Sequence, residues 1–125
     1  MAFLLVDKEN KDNDLMLNGW HWRTIVSEIR RLDVIDAEVA ENLQYQWCGF
    51  GLSKDEAGIV ADALERTTLP RLSEDDRLLL DGTETSTPDD YNFHKADPAK
   101  NYSTNAEVLR MFIDFCRSSQ GFELL

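Results

Sequence analysis

The chain opens on a short apolar patch, Phe3-Leu4-Leu5-Val6, and then turns wholly polar from Asp7 to Asp14. That start reads as a lead-in followed by a loop. After Asn18-Gly19 the pattern becomes periodic. Trp22, Ile25, Val26, Ile29 and Leu32 recur at helical spacing with Arg23, Glu28, Arg30 and Arg31 between them, which predicts an amphipathic helix. Asn18 supplies its cap, and the basic residues near its end suit the negative pole of the helix dipole. Asp36 to Leu43 predicts a second, shorter helix. The stretch Tyr45-Gln46-Trp47-Cys48-Gly49-Phe50-Gly51-Leu52 does not continue it, since each glycine costs a helix about 1 kcal/mol. It reads as an extended segment or tight turn. Ser53-Lys54-Asp55-Glu56 is a capping box, and Ala57, Val60, Ala63 and Leu64 form one apolar face behind it. Pro70 lies just past the expected end of that helix, near Thr67.

Ser73-Glu74-Asp75-Asp76 opens another short helical candidate that carries Leu78-Leu79-Leu80 and stops near Gly82. Residues 83–103 are polar, hold Pro88 and Pro98 and show no apolar period, so they read as one long irregular loop. Thr104-Asn105-Ala106-Glu107 is a second capping-box match. Behind it Val108, Leu109, Phe112, Phe115 and Cys116 make a broad apolar face, and Gly121 stands where a left-handed C-terminal cap is expected. Phe122 to Leu125 alternates weakly and suits a short strand against Trp47–Phe50. The predicted fold is mainly α: a single compact domain, 1–125, of four or five helices with one or two short strands at most. The length agrees, because a chain of 125 residues fits one domain with its own core.

Charge narrows the function. Thirteen Lys and Arg face 24 Asp and Glu, a formal charge of −11. Nucleic-acid phosphates and anionic membrane surfaces both demand a basic surface, so neither is an expected partner. No apolar run approaches the roughly 20 residues that span a bilayer, and the N-terminus lacks the plan of a secretory signal. The expected compartment is therefore the cytoplasm. Cys48 and Cys116 sit 68 residues apart in no ligand-like pair and read as two buried thiols.

Catalytic motifs are missing. The chain has no phosphate-binding GxxxxGK[ST] loop, no HExxH, no zinc-type Cys/His spacing and no GxSxG elbow. Gly49-Phe50-Gly51 begins like a dinucleotide fingerprint, but Lys54 stands where its third glycine belongs. The acids from Asp7 to Asp14 lack the glycine and terminal Glu of a calcium loop. No cofactor or metal is expected. His21 and His94 are the only imidazoles, and no nucleophile is placed by sequence to partner either.

Two strings carry candidate binding chemistry. Trp20-His21-Trp22-Arg23 is first read structurally: Trp22 joins the buried stripe, and His21, about 100° round the helix, points to solvent. Its functional alternative is a ligand pocket that gathers Trp20, His21, Arg23, Trp47 and Phe50, with Arg23 holding an anion. The second string is acidic. Between Ser73 and Pro98 eight acids face two bases, with Tyr91, Phe93 and Tyr102 interleaved or close by. A solubilising face explains the acids but has little need of three aromatics. Aromatic anchors within a charged rim suit a docking surface for a basic protein, which singles out Asp89, Asp90, Tyr91, Phe93 and Tyr102.

Three strings together, Asn18-Gly19-Trp20-His21-Trp22-Arg23, Gly49-Phe50-Gly51-Leu52 before a capped helix, and Phe115 to Phe122, resemble a family of small acidic uncharacterised bacterial proteins. Some of its members look like immunity proteins of toxin systems. Where that family reads Ser-Gly-Gly-Phe, this chain has Ser119-Gln120-Gly121-Phe122. The resemblance implies a bacterial source and no known enzyme activity, and it supplies no site residues. The expected function is a protein-binding module for a basic partner, such as a nuclease toxin. A small-ligand-binding protein or enzyme, with its pocket near Trp20, Trp47 and Phe50, is the alternative.

Overall fold

Strands β1 (Ala2–Asp7) and β2 (Asp14–Asn18) pair as an antiparallel hairpin, in a computed structural model that describes residues 2–46, 48–87 and 102–125. The polar stretch read as a loop is thus the connection between two strands. Asp7 holds it in place. Its carboxylate accepts from the Glu9 N–H (2.9 Å), Asn13 Nδ2 (3.0 Å) and the Gln120 N–H (3.2 Å). On its other edge β1 pairs with β7 (Gly121–Leu124), which pairs in turn with β3 (Gly51–Ser53). The sheet order is β2-β1-β7-β3, antiparallel throughout. A second antiparallel sheet, β5-β4-β6, is built from β4 (Arg77–Leu79), β5 (Glu84–Thr85) and β6 (Ser103–Asn105).

Four α-helices complete the described residues. Helix α1 (Gly19–Leu32) starts on Asn18, whose side chain accepts from the Trp20 and His21 N–H groups at 3.1 Å each. It stops at Asp33, a left-handed residue (φ 53°) whose N–H returns to the Ile29 carbonyl. Helix α2 (Ala37–Asn42) is capped by Asp36, and α3 (Lys54–Ala63) by the reciprocal Ser53–Glu56 box. A π-helical turn (Leu64–Thr68) and a 3₁₀ turn (Leu69–Arg71) carry the chain past Pro70. Helix α4 (Ala106–Ser118) takes its cap from Asn105, which accepts from the Val108 N–H at 2.9 Å.

The expectation of a mainly α fold is overturned. The described residues are mixed α/β, 47% helical and 24% strand. Ser73–Asp76 is not a helix start but a turn, closed by Asp76 N–H to the Ser73 carbonyl and Ser73 N–H to the Asp76 carboxylate. Leu78 and Leu79 behind it are strand residues, because β6 offers their backbone a partner that no local pattern reveals. The cap of α4 is Asn105 rather than Thr104, which lies within β6. Gly121 does not cap α4 either. Ser119 does, in an extended conformation, while Gly121 opens β7 at φ 87°. A Cβ on Gly121 would stand 2.7 Å from the Leu52 carbonyl oxygen, so close strand packing demands the glycine there. The C-terminal strand exists, but its ladder is with β3 and β1, with one bond from Leu124 N–H to the Phe50 carbonyl. Of the loop read over 83–103, Glu84–Thr85 is strand β5 and Ser103 opens β6. Its interior, 88–101, lies outside the described residues.

Trp22 sits at the centre of the core. It is fully buried, its ring packs edge-on against Phe112 and Phe122 and tilted against Phe3, and its Nε1 donates to the Leu43 carbonyl at 2.8 Å. Helix α1 therefore lies against both sheets, touching β1 and β2 of the first and β6 of the second, while α3 packs on α4 and β7. No helix among the described residues is long and apolar enough to cross a membrane.

Candidate functional site

With its apolar stripe in the core, α1 turns Arg23, Ser27, Arg30 and Arg31 toward its open side. What borders that side is set by a buried carboxylate. Glu28, only 2% exposed, accepts from Arg31 Nε (3.1 Å), Thr68 Oγ1 (2.7 Å) and Arg71 Nη1 (3.3 Å). Arg71 goes on to Glu84 and to the Gly82 carbonyl (2.7 Å). Arg31 reaches the Leu80 carbonyl at 3.0 Å, and the Ser27 hydroxyl donates to the same oxygen at 3.1 Å. This network ties the turn between β4 and β5 to the flank of α1. Gly82 sits so close to the Arg31 guanidinium that a Cβ there would lie 2.6 Å from Nε.

Two depressions follow along α1. The first, about 440 Å³, is walled by Arg23, Ser27 and Arg30 on α1, Gln44 and Tyr45 beyond α2, and Tyr102 before β6, with Val26 and Leu80 as its floor. The Arg23 guanidinium lies 5.7 Å from the Tyr102 ring centroid, a cation–π stack. The second, about 420 Å³, lies toward the end of α1. Ile29, Ile35, Ala37 and Ala40 give it an apolar floor, Asp33 and Glu41 stand at its edge, and Ser27, Arg30 and Arg31 line its α1 side.

That end of the molecule is acidic. Asp33, Asp36, Glu38 and Glu41 are all exposed, with no base between Asp33 and Glu41 in the sequence. Ion pairs among the described residues engage Glu28, Glu84, Asp62 and Glu65, and none of these four. Asp81 joins them from the β4–β5 turn. Its carboxyl is held below the usual carboxylate range, chiefly by the Thr83 hydroxyl (2.6 Å) and the Thr83 N–H (2.9 Å), with help from the positive charge of Arg31. Glu84 is likewise lowered, first by its bond from Arg71. Both stay ionised well into the acid range.

The residues singled out in the sequence are only partly brought together. Asp89, Asp90, Tyr91, Phe93, His94 and Trp47 lie outside the described residues. Tyr102, proposed as a docking anchor, meets Arg23, proposed as an anion holder, so one contact joins the two readings. Phe50 touches the groove indirectly, its ring 6.4 Å from that of Tyr45. Trp20 is half-buried. His21 does not simply face solvent: it is half-buried, with Nδ1 3.0 Å from the Thr104 hydroxyl. Cys48 is exposed and Cys116 buried, both free thiols, so the expected pair of buried thiols is half right. No group of three or more His, Cys, Asp or Glu among the described residues is placed to hold a metal ion.

Sequence reasoning passed over Arg30, Gln44 and Tyr45, and the acids at 33–41. The second set had a signal, four acids without a base in nine residues. The first had only the seven-residue spacing of Arg23 and Arg30. Comparison with known proteins finds no matching family model, and no curated protein or solved structure matches the chain.

Proposed function

We propose that this chain is a binding module for a basic protein partner, with toxin neutralisation the specific form that its acidity and its resemblance favour. The observation that carries the reading is the acidic end of α1. Asp33, Asp36, Glu38 and Glu41 are exposed and in no ion pair among the described residues, beside a cleft with an apolar floor that Arg30 and Arg31 border on its α1 side. A Lys or Arg stem from a partner would lie on Ile35 and Ala40 with its head at Asp33 or Glu41. The acids of the β4–β5 turn extend the same field, which accelerates encounter with a cation and weakens with salt. The pocket expected around Trp20, Trp47 and Phe50 has less in its favour, because the cavity beside Arg23 is lined by Tyr45 and Tyr102 and by neither Trp20 nor Phe50.

The test compares immobilised wild type with two variants in capture from source-organism lysate at low salt. One variant replaces the four acids at 33–41 by Asn or Gln; the other reverses Asp89 and Asp90 to Lys. Wild type should retain one basic protein near stoichiometrically and release it in high salt. The purified pair should then lose association rate, more than it gains dissociation rate, when the acids are neutralised. Equal capture by wild type and both variants, or none by any, would sink the reading.

A further inference from the structure

Most arginines among the described residues are committed. Arg31 and Arg71 serve the Glu28 network, Arg77 bonds the Thr87 carbonyl and Ser103, Arg66 the Asp62 carbonyl, and Arg117 pairs with Asp62 and Glu65. Arg23, Arg30 and Arg110 have neither an ion pair nor a side-chain hydrogen bond among the described residues, although acids outnumber bases 24 to 13. Arg23 and Arg30 line the 440 Å³ groove. Seven residues apart on one helix, they project within about 20° of each other, with Cα atoms about 10.5 Å apart and Ser27 between them.

Both arginines are exposed, and aromatic and amide groups stand beside them in the groove. The Arg23 guanidinium lies over Tyr102, and its N–H groups make no hydrogen bond among the described residues. Tyr45, 46% exposed and with its ring centroid 6.4 Å from that of Phe50, also lines the groove, as does Gln44. Two guanidinium forks suit a dianion with several oxygens, an open aromatic face suits a planar ring, and an amide reads the edge of a heterocycle. The volume falls in the roughly 300–1,000 Å³ range of small-molecule sites.

We infer that this groove binds a small phosphorylated aromatic anion of the mononucleotide class, its phosphate between Arg23 and Arg30 and its ring on Tyr45. The groove adjoins the docking cleft and shares Ser27 and Arg30 with it, but Arg23, Gln44, Tyr45 and Tyr102 line the groove alone.

The experiment is isothermal titration calorimetry of the full chain at low salt. The probes are the ribonucleoside 5′-monophosphates, inorganic phosphate and the unphosphorylated nucleosides. At least one monophosphate should bind, about tenfold or more tightly than phosphate or its own nucleoside alone. Arg30→Gln and Arg23→Gln should each weaken it by about tenfold or more, and Tyr45→Ala should weaken the nucleotide while leaving phosphate unchanged. All three side chains sit at the surface, and circular dichroism would verify that the variants fold. The inference is overturned if no monophosphate gives heat at millimolar concentration. It is equally overturned if the arginine variants bind as wild type does, or if inorganic phosphate binds as tightly as the nucleotide.

Discussion

Replacing Glu28 by Ala removes one acceptor from three donors at once, and the structure sets the cost. The Thr68 hydroxyl is fully buried and loses its partner at 2.7 Å, a loss of about 1–3 kcal/mol. Arg31 and Arg71 keep 37% and 36% of their side-chain surface in water. The about 3–5 kcal/mol known for breaking a fully buried pair is therefore an upper bound for them. A total near 3 kcal/mol follows, against a whole-domain stability of roughly 6–19 kcal/mol for 125 residues. Glu28→Gln retains a carbonyl for Thr68 and loses only the charge, so about 1–1.5 kcal/mol is expected. Urea unfolding read by circular dichroism separates the two. With a slope of about 1.5 kcal/mol/M, the Ala variant should lose about 2 M in midpoint and the Gln variant about 0.7–1 M, at unchanged slope. A shift below about 0.5 M for Glu28→Ala would refute the reasoning: the network would then be a surface ornament, and the β4–β5 turn would be held on α1 by something else.

Three further outcomes are expected. Trp22→Phe empties part of the central aromatic cluster and strands the buried Leu43 carbonyl, so guanidinium unfolding should show a loss of about 2–4 kcal/mol. Asp7 is held below the usual carboxylate range, first by the Glu9 N–H and then by Asn13 and Gln120, and Glu65, Asp81 and Glu84 are lowered too. A folded-state pKa below the unfolded one gives stability that is present above about pH 4 and lost as pH falls through the depressed values. The melting temperature should drop on acidification below pH 5, and less steeply in Asp7→Asn. Burial pushes the Cys116 thiol far up, whereas Cys48 is exposed. Ellman's reagent should therefore titrate one thiol in the native protein and two in denaturant.

What could be read in the sequence was whatever the chain decides locally. Asn18 and the Ser53–Glu56 box fix helix starts through bonds spanning two or three residues, and both helices stand where the pattern puts them. Some strands were missed because their partners are remote, Leu5 pairing with Leu124 and Leu78 with Thr104. The local β1–β2 and β4–β5 hairpins were missed because the first strand read as a lead-in and Leu78–Leu80 as part of a helix. Ser73-Glu74-Asp75-Asp76 misled because the same polar side chains that cap a helix also close a turn, and only the distant β6 decides between them. Thr104 and Asn105 are both able caps, and the choice fell to Asn105 while Thr104 met His21 across the chain. The candidate sites fared likewise. Arg23 was singled out as an anion holder, but the tyrosines around it come from segments 22 and 79 residues further along.

The pairing of β1 with β7 has a consequence for how the chain is born. Strand β1 is made more than 100 residues before β7, which fills its second edge, so the β1–β2 hairpin leaves the ribosome with that edge bare. It stays bare until residues 121–124 emerge, the delay that long-range pairing imposes on folding. At about 5–20 residues per second, that wait is on the order of ten seconds. Asp7 shares the delay, since one of its three donors is Gln120. During synthesis the hairpin is therefore an adhesive edge, and the closing strand is the lock that ends its exposure.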